Sequence, residues 1–342
     1  MKRVKVGDIE LGDGRIYIQS MLNIPAEDVE GSVEQAKALQ AAGCEIIRAA
    51  VPGIEDARLI SALKEAVDVP IVADIHFDYK IALACVEAGV DKIRINPGNI
   101  GGADNVRAVA DACGKRGVPI RIGVNSGSLE KELLQKYGSP TPEALVESAL
   151  GHVKLLNDCD FDDIVISIKS SDVRLMIAAY RLLAKQTEYP LHLGVTEAGT
   201  ERMGVLKSAV GIGSLLCDGI GDTIRVSLTA DPIKEVYAAK DILKACGLGG
   251  GAEIVSCPTC GRTRIDLISL ANVVEEMLRD INRPLKVAVM GCAVNGPGEA
   301  READIGIAGG VGEGLIFKKG KILRKVPESE IIEELKKETE NI

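Results

Sequence analysis

Short runs of β-branched and other apolar residues recur through the first two-thirds of the chain, at residues 16–20, 45–51, 71–75, 92–96, 120–124, 164–168, 191–195 and 223–228. Each has the length of a strand. Between them lie segments with apolar residues at helical spacing, such as 31–42 and 142–156, most of them closed by glycine or proline. Eight strands alternating with helices predict an α/β fold whose first part, residues 1–246, is a (β/α)8 TIM-type barrel. A doubly wound open sheet is the competing arrangement. It binds its ligand through a Gly-rich first turn, and Gln19-Ser20-Met21 is not one. The run Gly247-Leu248-Gly249-Gly250-Gly251 then breaks the rhythm and predicts a hinge over 247–251. Beyond it the pattern gives a helix over 266–279, a strand over 285–290, a hairpin-like region over 304–326 and a charged helix from 329 onward. Residues 252–342 therefore form a small α+β module.

Composition narrows the function. A net charge of −9 argues against general affinity for nucleic acid, which needs Lys and Arg to neutralise phosphates. With no Trp and three Phe, stacking platforms for single strands are scarce as well. Residues 1–10 alternate charge with single apolar residues and contain no run fit for a signal peptide or a membrane span, so a cytoplasmic protein is expected. In that compartment nine cysteines are not disulfides, and any that cluster point to metal or catalysis. Cys44, Cys85, Cys113, Cys159, Cys217 and Cys246 are scattered and read as small buried apolar residues.

Barrel enzymes carry their chemistry at the carboxyl ends of the strands. There the chain places Gln19, Ser20, Arg48, Asp74, His76, Arg94, Asn96, Arg121, Asn125, Ser167, Lys169, Glu197, Arg225 and Ser227. Arg48, Arg94, Arg121, Lys169 and Arg225 come from separate strands yet face one mouth. Cations so gathered repel one another unless an anion sits among them, and guanidinium forks match phosphate oxygens. Asp74, His76 and Glu197 are the rim's candidates for moving protons.

Past the hinge, Cys257-Pro-Thr-Cys260 puts two thiols on one turn, a spacing shared by zinc sites and iron-sulfur clusters. Cys292 follows inside Gly291-Cys-Ala-Val-Asn-Gly-Pro-Gly-Glu299. Structural zinc wants a fourth Cys or His, and no His occurs after His192. Three thiolates and an oxygen suit a [4Fe-4S] cluster with one exchangeable iron, and the Asn295-Gly-Pro-Gly298 turn can bring Glu299 back toward it. A zinc ribbon contacting RNA, or a metal-free barrel acting on phosphorylated or pterin-like substrates, are the alternatives.

The segments Gln19-Ser-Met21, Ile47-Arg-Ala-Ala50, Asp74-Ile-His-Phe77, Arg94-Ile-Asn-Pro-Gly-Asn99, Arg121-Ile-Gly-Val-Asn-Ser126, Cys257-Pro-Thr-Cys-Gly261 and above all residues 291–310 resemble the 4-hydroxy-3-methylbut-2-enyl diphosphate synthases. These are the iron-sulfur enzymes of the methylerythritol phosphate route to isoprenoids. The resemblance runs nearly end to end and matches the compact bacterial two-domain form. It implies reductive ring opening of 2-C-methyl-D-erythritol 2,4-cyclodiphosphate by two electrons, with loss of a hydroxyl as water. It also implies a cluster on Cys257, Cys260 and Cys292 with Glu299 as displaceable fourth ligand. Arg48, Arg94, Arg121, Lys169 and Arg225, with Asn125 and Ser227, are then expected to grip the substrate, and Asp74, His76 and Glu197 to surround its reacting carbons. Reduced flavodoxin or ferredoxin is the expected donor, and a head-to-tail homodimer the expected assembly. Lys318, Lys319, Lys321, Arg324 and Lys325 form a basic stretch that is a candidate dock for such an acidic donor or a solvated hairpin. One departure is Leu22-Asn-Ile after Gln19-Ser-Met21, where the family carries a more polar run.

Overall fold

A computed structural model describes residues 2–279, 281, 283–293, 298 and 300–342. The chain divides into two compact units, Met1–Gly247 and Leu248–Ile342.

The first unit opens with a hairpin that the sequence reading missed, β1 (Val4–Val6) and β2 (Ile9–Leu11). Its signal is the alternation Val-Lys-Val-Gly-Asp-Ile-Glu-Leu, with Gly7 left-handed at the turn (φ 57°). Eight parallel strands follow: β3 (Tyr17–Met21), β4 (Ile46–Ala50), β5 (Ile71–Asp74), β6 (Lys92–Ile95), β7 (Ile120–Asn125), β8 (Ile164–Lys169), β9 (His192–Leu193) and β10 (Thr223–Ile224). The order β8-β7-β6-β5-β4-β3-β10-β9 is a ring, which a bridge between Ile166 and Leu191 closes. Both β9 and β10 are shorter than their apolar runs. Their pairing stops at Gly194, where an added Cβ would lie 2.9 Å from the Arg225 carbonyl oxygen.

Strand period two sorts the side chains. Outward residues such as Ile47, Ile71, Ile93, Ile120, Ile122, Ile164 and Ile166 are fully buried against Leu39, Ile60, Leu63, Val109, Leu145, Leu156, Leu183 and Leu215 of the surrounding helices. Each such side chain contributes about 1.5–3 kcal/mol by leaving water. Inward residues at the amino end, Tyr17, Ile46, Val72 and Val165, pack on Val4, Val6 and Leu11, so the hairpin stoppers that end of the ring. Higher in the ring the inward positions turn polar.

The second unit is a five-stranded sheet in the order β11 (Ala252–Ser256), β12 (Leu285–Met290), β13 (Ile305–Gly309), β14 (Glu313–Lys318), β15 (Lys321–Pro327). The first three strands are parallel and the last three antiparallel. Helices Leu267–Leu278 and Ile331–Glu340 cover one face through Leu267, Val274, Leu278, Ile331 and Leu335. The sequence pattern anticipates the two helices and β12, but it gives 304–326 as a hairpin-like region where three strands stand, and it misses β11, whose residues lie between the glycine run and the first cysteine. Among the described residues no helix is long and apolar enough to cross a membrane.

Candidate active site

Five of the anticipated cations do meet inside the ring. Asp74, at the end of β5, accepts from Arg48 Nη2 at 2.5 Å and from Arg94 Nη1 at 3.2 Å. Burial pushes its carboxyl up, but Arg48 and Arg94 outweigh that and hold it well below the usual carboxylate range. Asp74 is thus a fixed counter-charge that keeps two guanidiniums in place, and it stays ionised. Gly123 makes room for this arrangement, since a Cβ there would sit 2.6 Å from Arg94 Nε. Arg225 reaches Glu235 at 3.4 Å, and Glu235 also accepts from Ser20 Oγ and the Leu228 amide, each at 3.0 Å. The amine of half-buried Lys169 is driven well below its ordinary range by burial, then by Arg48, Arg121, Arg225 and Arg94. One lysine feeling three arginines on strands and a fourth just past β10 is the convergence inferred from the sequence.

Arg121 is the extreme member. It is fully buried, and none of its three guanidinium nitrogens has a partner. Burial, then Arg48 and Arg94, weigh against its charge, yet a guanidinium does not give up its proton. The unfavourable energy therefore persists until something anionic arrives. Asn125 ends β7 and Ser227 follows β10, both half-buried at the same end of the ring. His76 is exposed, with Nε2 3.7 Å from Asp74. Glu197 lies in the loop after β9, exposed and with a left-handed backbone (φ 51°) that costs a non-glycine residue about 1–3 kcal/mol. It makes no hydrogen bond or ion pair with Asp74 or His76.

Three residues that bear on these cations escaped the sequence reading: the inward Lys92 and His192, and Glu235. Lys92 is two positions before Arg94 on β6 and fully buried, and its Nζ has no partner. His192 Nδ1 lies 2.8 Å from Thr223 Oγ1 while Nε2 is unpartnered. Burial, then Arg121, Lys169 and Lys92, keep that imidazole neutral. Strand alternation was the available signal for Lys92 and His192; nothing local marks Glu235, which comes from the helix Pro232–Ala245.

In the second unit, parallel pairing of β11 and β12 aligns Ser256 with Val289, which brings the segments bearing the cysteines together. The Cys257 amide donates to Val289 O at 3.3 Å, the Gly291 amide donates to Cys257 Sγ at 3.1 Å, and the Arg264 amide donates to Gly291 O at 3.0 Å. Cys260 is exposed, and its thiol is pulled down by the Arg262 amide and then the Arg262 side chain. Amide donors aimed at sulfur favour thiolates, the form that binds iron. Among the described residues no three His, Cys, Asp or Glu side chains converge as a single-ion site requires. In an iron cube each thiolate takes its own iron, so the cysteines need only surround a space. This donor set fits such a cluster. Glu299, Asn295 and the rest of that turn except Gly298 lie outside the described residues. Of the basic stretch, Arg324 is committed to Glu334 and Glu338 and Lys325 to Glu313, which leaves Lys318, Lys319 and Lys321.

The GcpE TIM-barrel domain model matches residues 1–240, and the GcpE protein C-terminal domain model matches residues 253–341. The chain belongs to the GcpE family. Among GcpE relatives, the 4-hydroxy-3-methylbut-2-en-1-yl diphosphate synthase (flavodoxin) of Clostridium perfringens is 60% identical over 343 residues, covering 100% of this chain and 98% of that protein. The synthase of the same name from Geobacillus thermodenitrificans is 57% identical, over 99% of this chain and 91% of that one. Among solved structures, dihydropteroate synthases of Xanthomonas albilineans with 4-aminobenzoic acid (TM-score 0.54, 15% identity) and of Stenotrophomonas maltophilia (TM-score 0.53, 17% identity) each cover 72% of the GcpE chain. They span 99% and 97% of those proteins respectively. At such identity this likeness concerns the barrel fold alone.

Proposed function

We propose that the chain catalyses the reaction for which its relatives are named, the two-electron reductive opening of 2-C-methyl-D-erythritol 2,4-cyclodiphosphate to 4-hydroxy-3-methylbut-2-enyl diphosphate in isoprenoid biosynthesis. The observation that carries the substrate half is Arg121, a buried guanidinium without a partner among converging cations. In this reading Arg48, Arg94, Arg121, Lys169 and Arg225, with Asn125 and Ser227, hold the oxygens of the cyclic diphosphate. Asp74 fixes two of those arginines, and His76 and Glu197 border the reacting carbons. Residues 1–246 are the substrate domain, 247–251 the link, and 252–342 the domain for a [4Fe-4S] cluster held by Cys257, Cys260 and Cys292 with Glu299 as fourth ligand. Bound there, the cluster supplies electrons and Lewis acidity. Reduced flavodoxin is the donor that the relatives' name supports, with ferredoxin as the alternative. A head-to-tail homodimer in the cytoplasm, each cluster domain closing over its partner's barrel, completes the proposal.

Glu197 holds the proton that leaves with the substrate hydroxyl as water. Its strained backbone on an exposed loop at the carboxyl end of the ring supports that role. In anaerobic assays with reduced flavodoxin and the cyclic diphosphate, Glu197→Gln is expected to bind substrate as the parent does and to lose about 10²–10⁴-fold in kcat. Unchanged turnover removes Glu197 from the scheme, and no turnover by the parent protein overturns the proposed reaction.

A further inference from the structure

Beneath the mouth cations lies an amine for which the proposed reaction has no use. Lys92 Nζ is sealed from water and has no hydrogen-bond partner. The groups around it are almost all positive or neutral. Across the ring are Arg48 on β4, Arg121 on β7, Lys169 on β8 and Arg225 just past β10, together with neutral Gln19 on β3 and the neutral His192 on β9. The hairpin below offers only Val4, Val6 and Leu11. The carboxylates nearby are otherwise engaged: Asp74 by Arg48 and Arg94, Glu235 by Arg225, and Asp91 by Lys64 and the Ile71 amide.

A set of crowded cations relieves itself through whichever member can release a proton. Guanidiniums cannot, so the relief falls to amines. We propose that Lys92 is a proton-accepting member of the anion site, neutral in mildly alkaline medium while the mouth is empty and taking a proton from the medium as the cyclic diphosphate seats above it. The proton comes from buffer, and no other bond forms or breaks. This inference rests on the substrate reading given above. Burial, then Arg121 and Arg48, push the empty-site amine down to about 7. A bound dianion offsets the repulsion from Arg121 and Arg48, so the amine's affinity for protons rises. The sign follows: between the two values, binding takes up protons and affinity falls as pH rises, whereas below the lower value both vanish. The ligand does not blur the count, because each phosphorus of a cyclic diphosphate keeps one strongly acidic oxygen that is ionised throughout this range.

The test is calorimetry on anaerobic, cluster-loaded protein without reductant, titrated with the cyclic diphosphate near pH 8 in buffers of different ionisation enthalpy. The slope against that enthalpy counts protons. Lys169 adds its own share, so the quantity of interest is the difference between parent and variant. The parent is expected to take up roughly half a proton or more beyond Lys92→Met. Lys92→Arg, which keeps a charge that cannot leave, is expected to show the same loss of uptake and a flatter dependence of affinity on pH; it also serves if the methionine variant does not fold. Equal uptake by the parent and the arginine variant overturns the assignment of Lys92. Absence of any binding heat from the cyclic diphosphate in the parent instead overturns the substrate reading, and this inference with it.

Discussion

Replacing Arg121 with methionine is expected to make the barrel more stable and unable to hold its substrate. The guanidinium sits at 0% exposure with three unpartnered nitrogens, and its neighbours Arg48 and Arg94 carry the same charge. Removing a buried, poorly compensated ion in favour of an apolar side chain of similar length stabilises folded proteins by about 1–4 kcal/mol. For a domain of this size each kcal/mol raises the unfolding temperature by about 2–4 °C. Binding moves the other way. Truncating one partner of a desolvated charge pair costs about 2–5 kcal/mol, or roughly 30- to 5,000-fold in affinity. Thermal denaturation and calorimetric titration of the same variant read both quantities. A variant that melts lower and binds the cyclic diphosphate normally would make Arg121 a structural residue. The opposed signs are those of a site whose strain is relieved by its ligand.

Cys292→Ser is expected to abolish turnover and lower bound iron and sulfide while leaving the fold intact. The residue is half-buried just past the end of β12, outside the apolar faces of the sheet, so its exchange removes little packing. A serine oxygen is a hard donor that replaces a soft thiolate poorly at iron. The contrast lies in the barrel, where Cys44, Cys85 and Cys113 are buried thiols pushed up to about 12 by desolvation. Their serine variants are expected to keep a full iron complement and to lose stability only. Anaerobic iron and sulfide analysis beside circular dichroism distinguishes the two groups. Full iron in Cys292→Ser would remove that residue from the ligand set.

Much of this was legible in the chain because a parallel barrel writes itself as apolar runs at a regular interval. The outward isoleucines made those runs, and the same alternation carried Arg48, Arg94, Arg121, Lys169 and Arg225 to the inside. Reading the alternation to the foot of each strand would have added Lys92, two residues before Arg94, and His192, which alternates with the outward Leu191 and Leu193. The opening hairpin was passed over because its charged residues alternate with valines too sparsely to look like a core. It is nonetheless the element that seals the amino end of the ring. Glu235 lay beyond reach, because its approach to Arg225 and Ser20 depends on how the helix Pro232–Ala245 packs. Asp74 was legible as a rim carboxylate, but only the paired guanidiniums on it reveal a residue that stays ionised. In the second unit the C-x2-C spacing is what suggests the proposed cluster ligands, whereas the pairing of β11 with β12 that draws Cys257 beside Gly291 had no local signature.

In the proposed reaction a cyclic dianion at a barrel mouth meets an iron cube that is only partly held by thiolates. Electron paramagnetic resonance of the anaerobically reduced protein, recorded before and after adding 2-C-methyl-D-erythritol 2,4-cyclodiphosphate, tests this most directly. The expected result is an iron-sulfur signal whose g-values shift when the cyclic diphosphate is added. A signal that does not change at saturating ligand, or a protein that carries zinc and no iron, would contradict it.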